Sequence, residues 1–431
     1  MPNHERLLLV LPSIPIPANS GGALRSLHLV RALDRAFQIT VVAPAPQRLE
    51  GELFRSMLRG RLVAVPLSSG PARAWNHATS IWRGEPIGYF RYATAELKRA
   101  ILLLLKHGGF SAVHFDRLHT GRLLSSIQRA ARAEGLSLPT VLDAHNVETE
   151  LCRRLGEISS PLLKPVFGFQ VSRLRKLEEG TVSAADAVLT CSDRERLLLE
   201  AMGGRRVQVI PNGVSLGKWT RAGRSRAQDV VFVGSMDWRP NRDAASYLAK
   251  EIWPLCRERL AGSKLLLVGR EPPRGLWNLA TPDIEVTGTV ESVVPYVESA
   301  FATAVPLRAG SGTRLKILEA AGARVPIVAT RLAAEGLPLV DGKQIVYAET
   351  AREFADALVK LREEPEWARM LAENAFEVAQ RFDWDRVGGT LVDFYQQLLE
   401  TQWATGKSPM RHGAYSDDGR RSTSLCLNHT T

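Results

Sequence analysis

Short apolar runs alternate with amphipathic helical stretches along this chain, twice over, and that rhythm restricts the possible folds more than any other feature. The first series has apolar runs at residues 7–11, 39–43, 62–66, 112–115, 140–143 and 187–190, with helical patterns at 24–33, 94–106 and 118–133. Runs that are apolar at nearly every position suit strands buried on both faces, and strand–helix alternation makes consecutive strands parallel. A second series begins at Val207 and continues through 230–233, 264–268, 284–287, 302–307, 327–329 and 345–347. The expected class is α/β, with two Rossmann-like domains facing one another across a cleft. A chain of 431 residues exceeds what one core usually organises, which fits two domains. The expected division is 1–203, 204–381, a helix over 382–400, and a polar, aperiodic tail over 401–431 expected to be disordered.

Composition narrows the function classes. Hydrophobic content of 45% with 23% charge is ordinary for a globular protein. The four cysteines, Cys152, Cys191, Cys256 and Cys426, show no metal-binding spacing and read as reduced structural thiols. No apolar run reaches the roughly 18 residues of a membrane span, and residues 1–10 lack the form of a secretory leader. A cytoplasmic location is expected. The net charge is +11, and residues 1–200 hold 26 Lys and Arg against 18 Asp and Glu. Basic clusters lie between Arg48 and Arg61 and at Arg173, Arg175 and Lys176. They are either a solvated surface or a face drawn to anionic lipid, where each cation contributes about 1 kcal/mol. Nucleic acid is not expected as a partner, because no recognition motif accompanies the charge.

Chemistry is expected in the loops that follow the strands, since open α/β sheets bind ligands beyond the carboxyl ends of their strands. Ala302 to Gly322 reads as a buried strand, a loop with Gly310 and Gly312, and a helix opening near Thr313. A helix start has unpaired N–H groups and partial positive charge, so it favours a phosphate, and glycines allow close approach. Gly312, Lys316 and Glu319 fall on one helical face, so anion-binding amides, a cation and a carboxylate share a surface. An ordinary crossover with a surface ion pair would share this pattern. Gly21 and Gly22 open the helix after the first strand; Arg25, one turn in, either aims at the same anion or faces solvent. The segment Asp143-Ala-His-Asn-Val-Glu148 closes another strand, so His145 and Asn146 are candidates to touch a sugar or an acceptor hydroxyl, or are structural. After the strand at 230–233, Gly234 permits close approach, Arg239, Asn241 and Arg242 lie within reach of a diphosphate, and Trp238 is either core or cleft wall.

The order of these segments resembles the retaining glycosyltransferases of family 4, with the GT-B fold, over about residues 5–400. The resemblance is carried by Pro17 through Arg25, Ala185-Asp-Ala-Val-Leu-Thr-Cys-Ser192, Ile210-Pro-Asn-Gly-Val214, Phe232-Val-Gly234 and Gly310-Ser-Gly-Thr-Arg-Leu-Lys-Ile-Leu-Glu-Ala320. Glu335-Gly-Leu337 and Phe382-Asp-Trp384 also fit. The nearest look-alikes are sugar transferases of bacterial exopolysaccharide assembly. The resemblance implies that Glu319 binds the donor's ribose and that the helix over 382–400 crosses back onto the first domain. It also implies a nucleoside diphosphate sugar as donor, a glycan or lipid-linked acceptor and front-face attack. No divalent metal is expected, because no Asp-x-Asp or His cluster suits one, and no cofactor is expected. Three positions depart from the family pattern. Ser311 stands where its first motif glutamate falls, and Ser235 and Asn241 stand where its arginine and lysine are common. Charge on the diphosphate is then expected to be met by Lys316, Arg242, Arg239 or Arg314, with amides around Ser311 and Thr313 holding sugar hydroxyls. The alternatives are a nucleotide-sugar epimerase of the same fold and a non-catalytic nucleotide-sugar-binding subunit.

Overall fold

The computed structural model describes residues 5–44, 48–66, 86, 94–219, 228–310 and 315–404. Two wholly parallel sheets form the frame. The first contains β1 (Arg6–Val10), β2 (Gln38–Pro44), β3 (Arg61–Val65), β4 (Ala112–Asp116), β5 (Thr140–Asp143), β6 (Ala187–Thr190) and β7 (Val207–Val209), in the order β3-β2-β1-β4-β5-β6-β7. The second contains β8 (Asp229–Val233), β9 (Leu265–Val268), β10 (Ile284–Gly288), β11 (Ala300–Val305), β12 (Ile327–Ala329) and β13 (Val346–Tyr347), in the order β10-β9-β8-β11-β12-β13. The α/β class and the two Rossmann-like lobes expected from the alternation are both present. One strand belongs elsewhere. Val207–Val209, expected to begin the second series, pairs with β6 and completes the first sheet.

The period of two explains why β1 is apolar throughout. Leu7 and Leu9 enter one layer of core while Leu8 and Val10 enter the layer on the other face. All four are fully buried, which contributes about 1.5–3 kcal/mol per side chain. Helices cover both faces, as a parallel sheet requires.

The last helix, Trp384–Ala404, belongs to the first lobe although it follows the second in sequence. Its stripe of Trp384, Val387, Leu391, Phe394, Tyr395 and Leu398 packs into the same layer as Leu7, Leu33 and Val41. Trp384 stacks on His28 of the helix Gly21–Ala36, with ring centroids 4.5 Å apart and planes 4° from parallel. The expected 382–400 helix thus starts two residues later and runs four residues further, so 401–404 are helical; the remainder of the expected tail lies outside the described residues.

The chain crosses between lobes twice, at one place. The Val214 N–H donates to the Phe382 carbonyl at 2.8 Å, and the Trp384 N–H donates to the Val214 carbonyl at 3.2 Å. Gly213 allows this approach, because a Cβ there would lie 2.6 Å from Trp384 Cδ2. That contact gives the Ile-Pro-Asn-Gly-Val turn its physical reason.

Candidate functional site

Strand order reverses between β1 and β4 in the first sheet and between β8 and β11 in the second. Loops leaving neighbouring strands in opposite directions open a crevice there, the usual ligand position in this class of sheet. The two crevices meet. A Cβ on Gly21, at the start of the helix after β1, would sit 3.3 Å from Leu315 Cδ1, at the start of the helix after β11. Glycine at 21 therefore lets the two helix starts approach.

Beneath the first-lobe side lies a buried polar cluster. Arg25 grips Asp143 with two bonds, Nη2 to Oδ1 at 2.7 Å and Nε to Oδ2 at 3.1 Å. Its Nη1 donates to the Ile210 carbonyl at 2.8 Å and to Asn212 Oδ1 at 3.2 Å. Arg25 is 1% exposed, so it neither faces solvent nor aims at a ligand. It braces the strand ends of β5 and β7, and both sequence readings of it give way to that role. His145 Nε2 lies 2.8 Å from Asp116 Oδ1 and 3.2 Å from Asp143 Oδ2. Burial pushes the imidazole toward its neutral form, but the two carboxylates outweigh burial and raise its pKa. For Asp143, burial pushes the pKa up, and Arg25 and His145 more than reverse it. His145 is thus a buried ring whose Nε2 is taken by carboxylates that favour its charged form. Asn146 beside it is half-buried.

His114, Asp116 and Asp143 bring possible metal-ligand atoms within 4.8 Å of one another. Their partners are protein groups: His114 Nδ1 is 2.8 Å from the Tyr395 hydroxyl, Asp116 accepts from Ser26 Oγ at 2.9 Å, and Asp143 holds Arg25. Two carboxylates already balanced by Arg25 and His145 do not offer the open negative charge that a hard cation requires.

On the second-lobe side, Gly234 follows β8 and Lys316 lies in the first turn of the helix Leu315–Gly322. Lys316 Nζ donates to Asn241 Oδ1 at 2.7 Å and sits 4.2 Å from the Phe232 ring centroid. Asn241 Nδ2 donates to the Ser235 carbonyl at 2.9 Å. A Cβ on Gly234 would come within 2.7 Å of Asn241 Cγ and 3.0 Å of Lys316 Nζ. Close approach at Gly234 therefore serves the lysine and the asparagine. Glu319, one turn beyond Lys316, is half-buried; burial raises its pKa while Lys218 and Lys316 oppose the rise. Arg242 is half-buried and has no ion pair or side-chain hydrogen bond among the described residues. Arg239 lies over the Phe167 ring at 5.2 Å, a contact between the lobes. Trp238 is half-buried. Gly310, in the segment after β11, has φ 148°, a backbone that favours glycine. Ser311, Gly312, Thr313 and Arg314 lie outside the described residues.

A set of residues that sequence reading passed over joins the lobes beside Gly310. Arg154, on the first-lobe helix Glu148–Glu157, donates from Nη1 to the Gly310 carbonyl at 2.7 Å and to Glu335 Oε2 at 2.8 Å. Its Nη2 reaches Glu335 Oε1 at 3.2 Å, and its Nε reaches Glu150 Oε1 at 2.8 Å. Arg194 pairs with Glu335 at 2.9 Å and with Glu150 at 3.0 Å. Hydrogen bonds from Arg153 and Arg194, together with the charge of Arg154, lower the Glu150 pKa to about 2 despite burial. In sequence, Glu150 and Arg154 look like a surface pair at i, i+4. Only Glu335, within Glu335-Gly-Leu337, carried a signal.

Residues 20–213 match the family model described as glycosyl transferase 4-like domain, and residues 227–364 match the one described as glycosyl transferases group 1. D-inositol 3-phosphate glycosyltransferase from Actinosynnema mirum is 29% identical over 327 residues, covering 67% of this chain and 73% of that protein. The enzyme of that name from Saccharomonospora viridis is 32% identical over 143 residues, 30% of this chain and 32% of its own. Among solved structures, sucrose-phosphate synthase from Thermosynechococcus elongatus superposes with a TM-score of 0.68 at 18% identity, covering 92% of this chain and 100% of its own. HepE of Anabaena, solved with UDP-glucose, has a TM-score of 0.65 at 13% identity and covers 91% of this chain and 100% of its own.

Proposed function

From a chain that belongs to the family 4-type glycosyltransferases of GT-B fold and uses a nucleotide sugar, we propose a retaining transfer of a hexosyl unit to a hydroxyl acceptor. The bond from the sugar's anomeric carbon to the terminal donor phosphate breaks, and a bond to the acceptor oxygen forms on the same face. The acceptor's proton passes to the departing phosphate oxygen, leaving a nucleoside diphosphate and a glycoside. Charge grows on the diphosphate in the transition state, so fixed cations and amides aimed there lower the barrier. The observation that carries this reading is Lys316 Nζ, held 2.7 Å from Asn241 Oδ1 against Gly234 in the first turn of the helix after β11. Such a held ammonium meets the diphosphate without reorganising.

In this reading Arg242 and Arg239 add charge, and Gly310 through Arg314 hold the donor's phosphates and sugar hydroxyls. Glu319 takes the ribose, its side-chain oxygens accepting hydrogen bonds from the sugar hydroxyls. Gly21 and Gly22 allow close approach from the first lobe, and Asn146 contributes a polar edge. His145, whose Nε2 is engaged by Asp116 and Asp143, lines the floor of the cleft in this reading and positions its neighbours. The lobe built on β1–β7 takes the acceptor and that on β8–β13 the donor. A glycan or lipid-linked acceptor is favoured by the exposed Leu162, Val166 and Phe169 beside Lys164 and Arg173, apolar and cationic groups suited to an anionic membrane face. No described helix is long and apolar enough to cross a membrane. The name of the curated relatives adds a phosphorylated polyol to the acceptors worth trying.

Thermal shift with UDP-, GDP- and other nucleotide sugars, followed by turnover with lipid-linked and polyol acceptors, tests the reading. Lys316→Ala is expected to lower kcat about 100-fold or more, the scale at which removing one group that stabilises developing charge acts. Proton NMR of the fresh product must show the donor's anomeric configuration. Inversion there, or wild-type turnover by the alanine variant, ends the proposal.

A further inference from the structure

Arg117 is the first residue past β4, on the crevice side of the reversal between β1 and β4. Its φ is 68°, a region that residues with side chains enter rarely and at a cost. Its guanidinium lies against Gly22: a Cβ there would come within 2.6 Å of Nη2 and 2.9 Å of Cζ. The second glycine of the pair is therefore the space that the arginine occupies. Nε is buried and has no hydrogen-bond partner. The nearest carboxylate oxygen, Asp116 Oδ2, is 3.6 Å away, and Asp116 already accepts from Ser26 and holds His145. Among the described residues no side-chain N–H of Arg117 makes a hydrogen bond. Yet only 26% of the side chain is exposed, so water cannot serve all five donors freely. Charge tells the same story. Asp116 and Asp143 are balanced by His145 and Arg25, and Arg117 is a further cation over the pair.

We propose that Arg117 is a binding residue for a phosphate group in the cleft, on the first-lobe side and opposite Lys316. The inference rests on the glycosyl-transfer reading and adds to it a ligand contact from the acceptor lobe. A Cβ on Gly21, next to Gly22, would sit 3.3 Å from Leu315, so a phosphate on Arg117 lies where the lobes meet. A guanidinium fork matches two phosphate oxygens, and a buried Nε in search of an acceptor is satisfied by one of them. That phosphate comes either from the donor's diphosphate or from a phosphorylated acceptor.

Titration calorimetry on the full chain with UDP, GDP and inorganic pyrophosphate, plus turnover with inositol 3-phosphate against inositol, separates the two sources. If the phosphate is the donor's, Arg117→Gln weakens the nucleotide that wild type binds by tenfold or more, with pyrophosphate following. If it is the acceptor's, diphosphate binding is unchanged, while KM for inositol 3-phosphate rises tenfold and that for inositol does not. Arg117→Gly relieves the positive φ, so binding is expected to fall while Tm holds or rises; an arginine of purely structural use would lower Tm instead. Unchanged binding and KM in a folded Arg117→Gln protein overturns the proposal, as does a wild type that binds no phosphate compound. Lys316→Ala read in the same assays reports separately on the transfer reading.

Discussion

Replacing Arg154 with methionine keeps the stem and removes its own donors, among them the one that ties the first lobe to the Gly310 carbonyl. The loss can be sized from the bonds that remain. Glu335 keeps Arg194 at 2.9 Å, and Glu150 keeps Arg153 at 2.9 Å and Arg194 at 3.0 Å. Neither carboxylate is orphaned, so the cost falls below the roughly 3–5 kcal/mol of breaking an isolated buried pair. The buried Gly310 carbonyl does lose its charged donor, a change of about 2 kcal/mol. Because donor and acceptor sit on different lobes, that energy comes off lobe closure and leaves each lobe's own stability nearly intact. A shift of this size changes the open-to-closed ratio by about 30-fold. Small-angle scattering is expected to show a larger radius of gyration, and kcat/KM is expected to fall by an order of magnitude or more. Arg194→Met is the control. That side chain is 37% exposed and its bridges are worth about 0–1 kcal/mol, so its effect stays under about fivefold. Equal effects of the two variants, or an Arg154→Met protein within twofold of wild type, would refute this reasoning.

Three further outcomes are expected. Glu178, buried on the helix Lys164–Ala184, accepts the N–H groups of Glu148 at 2.7 Å and Thr149 at 3.0 Å, and burial raises its pKa to about 7. A raised carboxyl pKa means the native state holds the proton more tightly, so stability is full below about pH 4.5 and declines as pH rises to about 7. The decline is about 3 kcal/mol at most, and chemical denaturation at pH 5 and pH 8 should show it shrinking in Glu178→Gln. Trp384→Ala removes the ring stacked on His28 and opens the layer under the last helix; calorimetry is expected to report a loss of about 3–5 kcal/mol. Gly234→Ala places a methyl against Asn241 and Lys316, and calorimetry should find donor affinity down tenfold or more while Tm changes little.

What the sequence revealed follows the range of the interactions. β1 was legible because alternate leucines of a single run fill two core layers, a property local to five residues. Gly234 was legible because it directly follows a strand end that periodicity locates, and Lys316 because it stands in the first turn of the helix that periodicity places after β11. Arg25 was misread for the same reason: a cation one turn past two glycines looks aimed at an anion, and its partner Asp143 is 118 residues away. Arg154 and Glu335 are 181 residues apart, so nothing local marks the bond between them: Arg154 shows in sequence only as half of an i, i+4 pair, and Glu335 only as part of a short segment. Asp116 left a faint trace, an acidic residue closing the buried run of β4 much as Asp143 closes β5. Val207–Val209 is a three-residue strand whose pattern fits either sheet; only its pairing with β6 decides.

Because Trp384 through Leu399 complete the first lobe, the second lobe is an insertion within it. The ribosome delivers the middle of the protein whole before the beginning can close. Residues between the two crossings hold a core of their own and are free to collapse early. The helix Gly21–Ala36 must meanwhile wait, its apolar side uncovered, for the final stretch to emerge. A truncation before Trp384 should therefore leave the half built on β8–β13 sound and turn the opposite half into prey for proteases and chaperones.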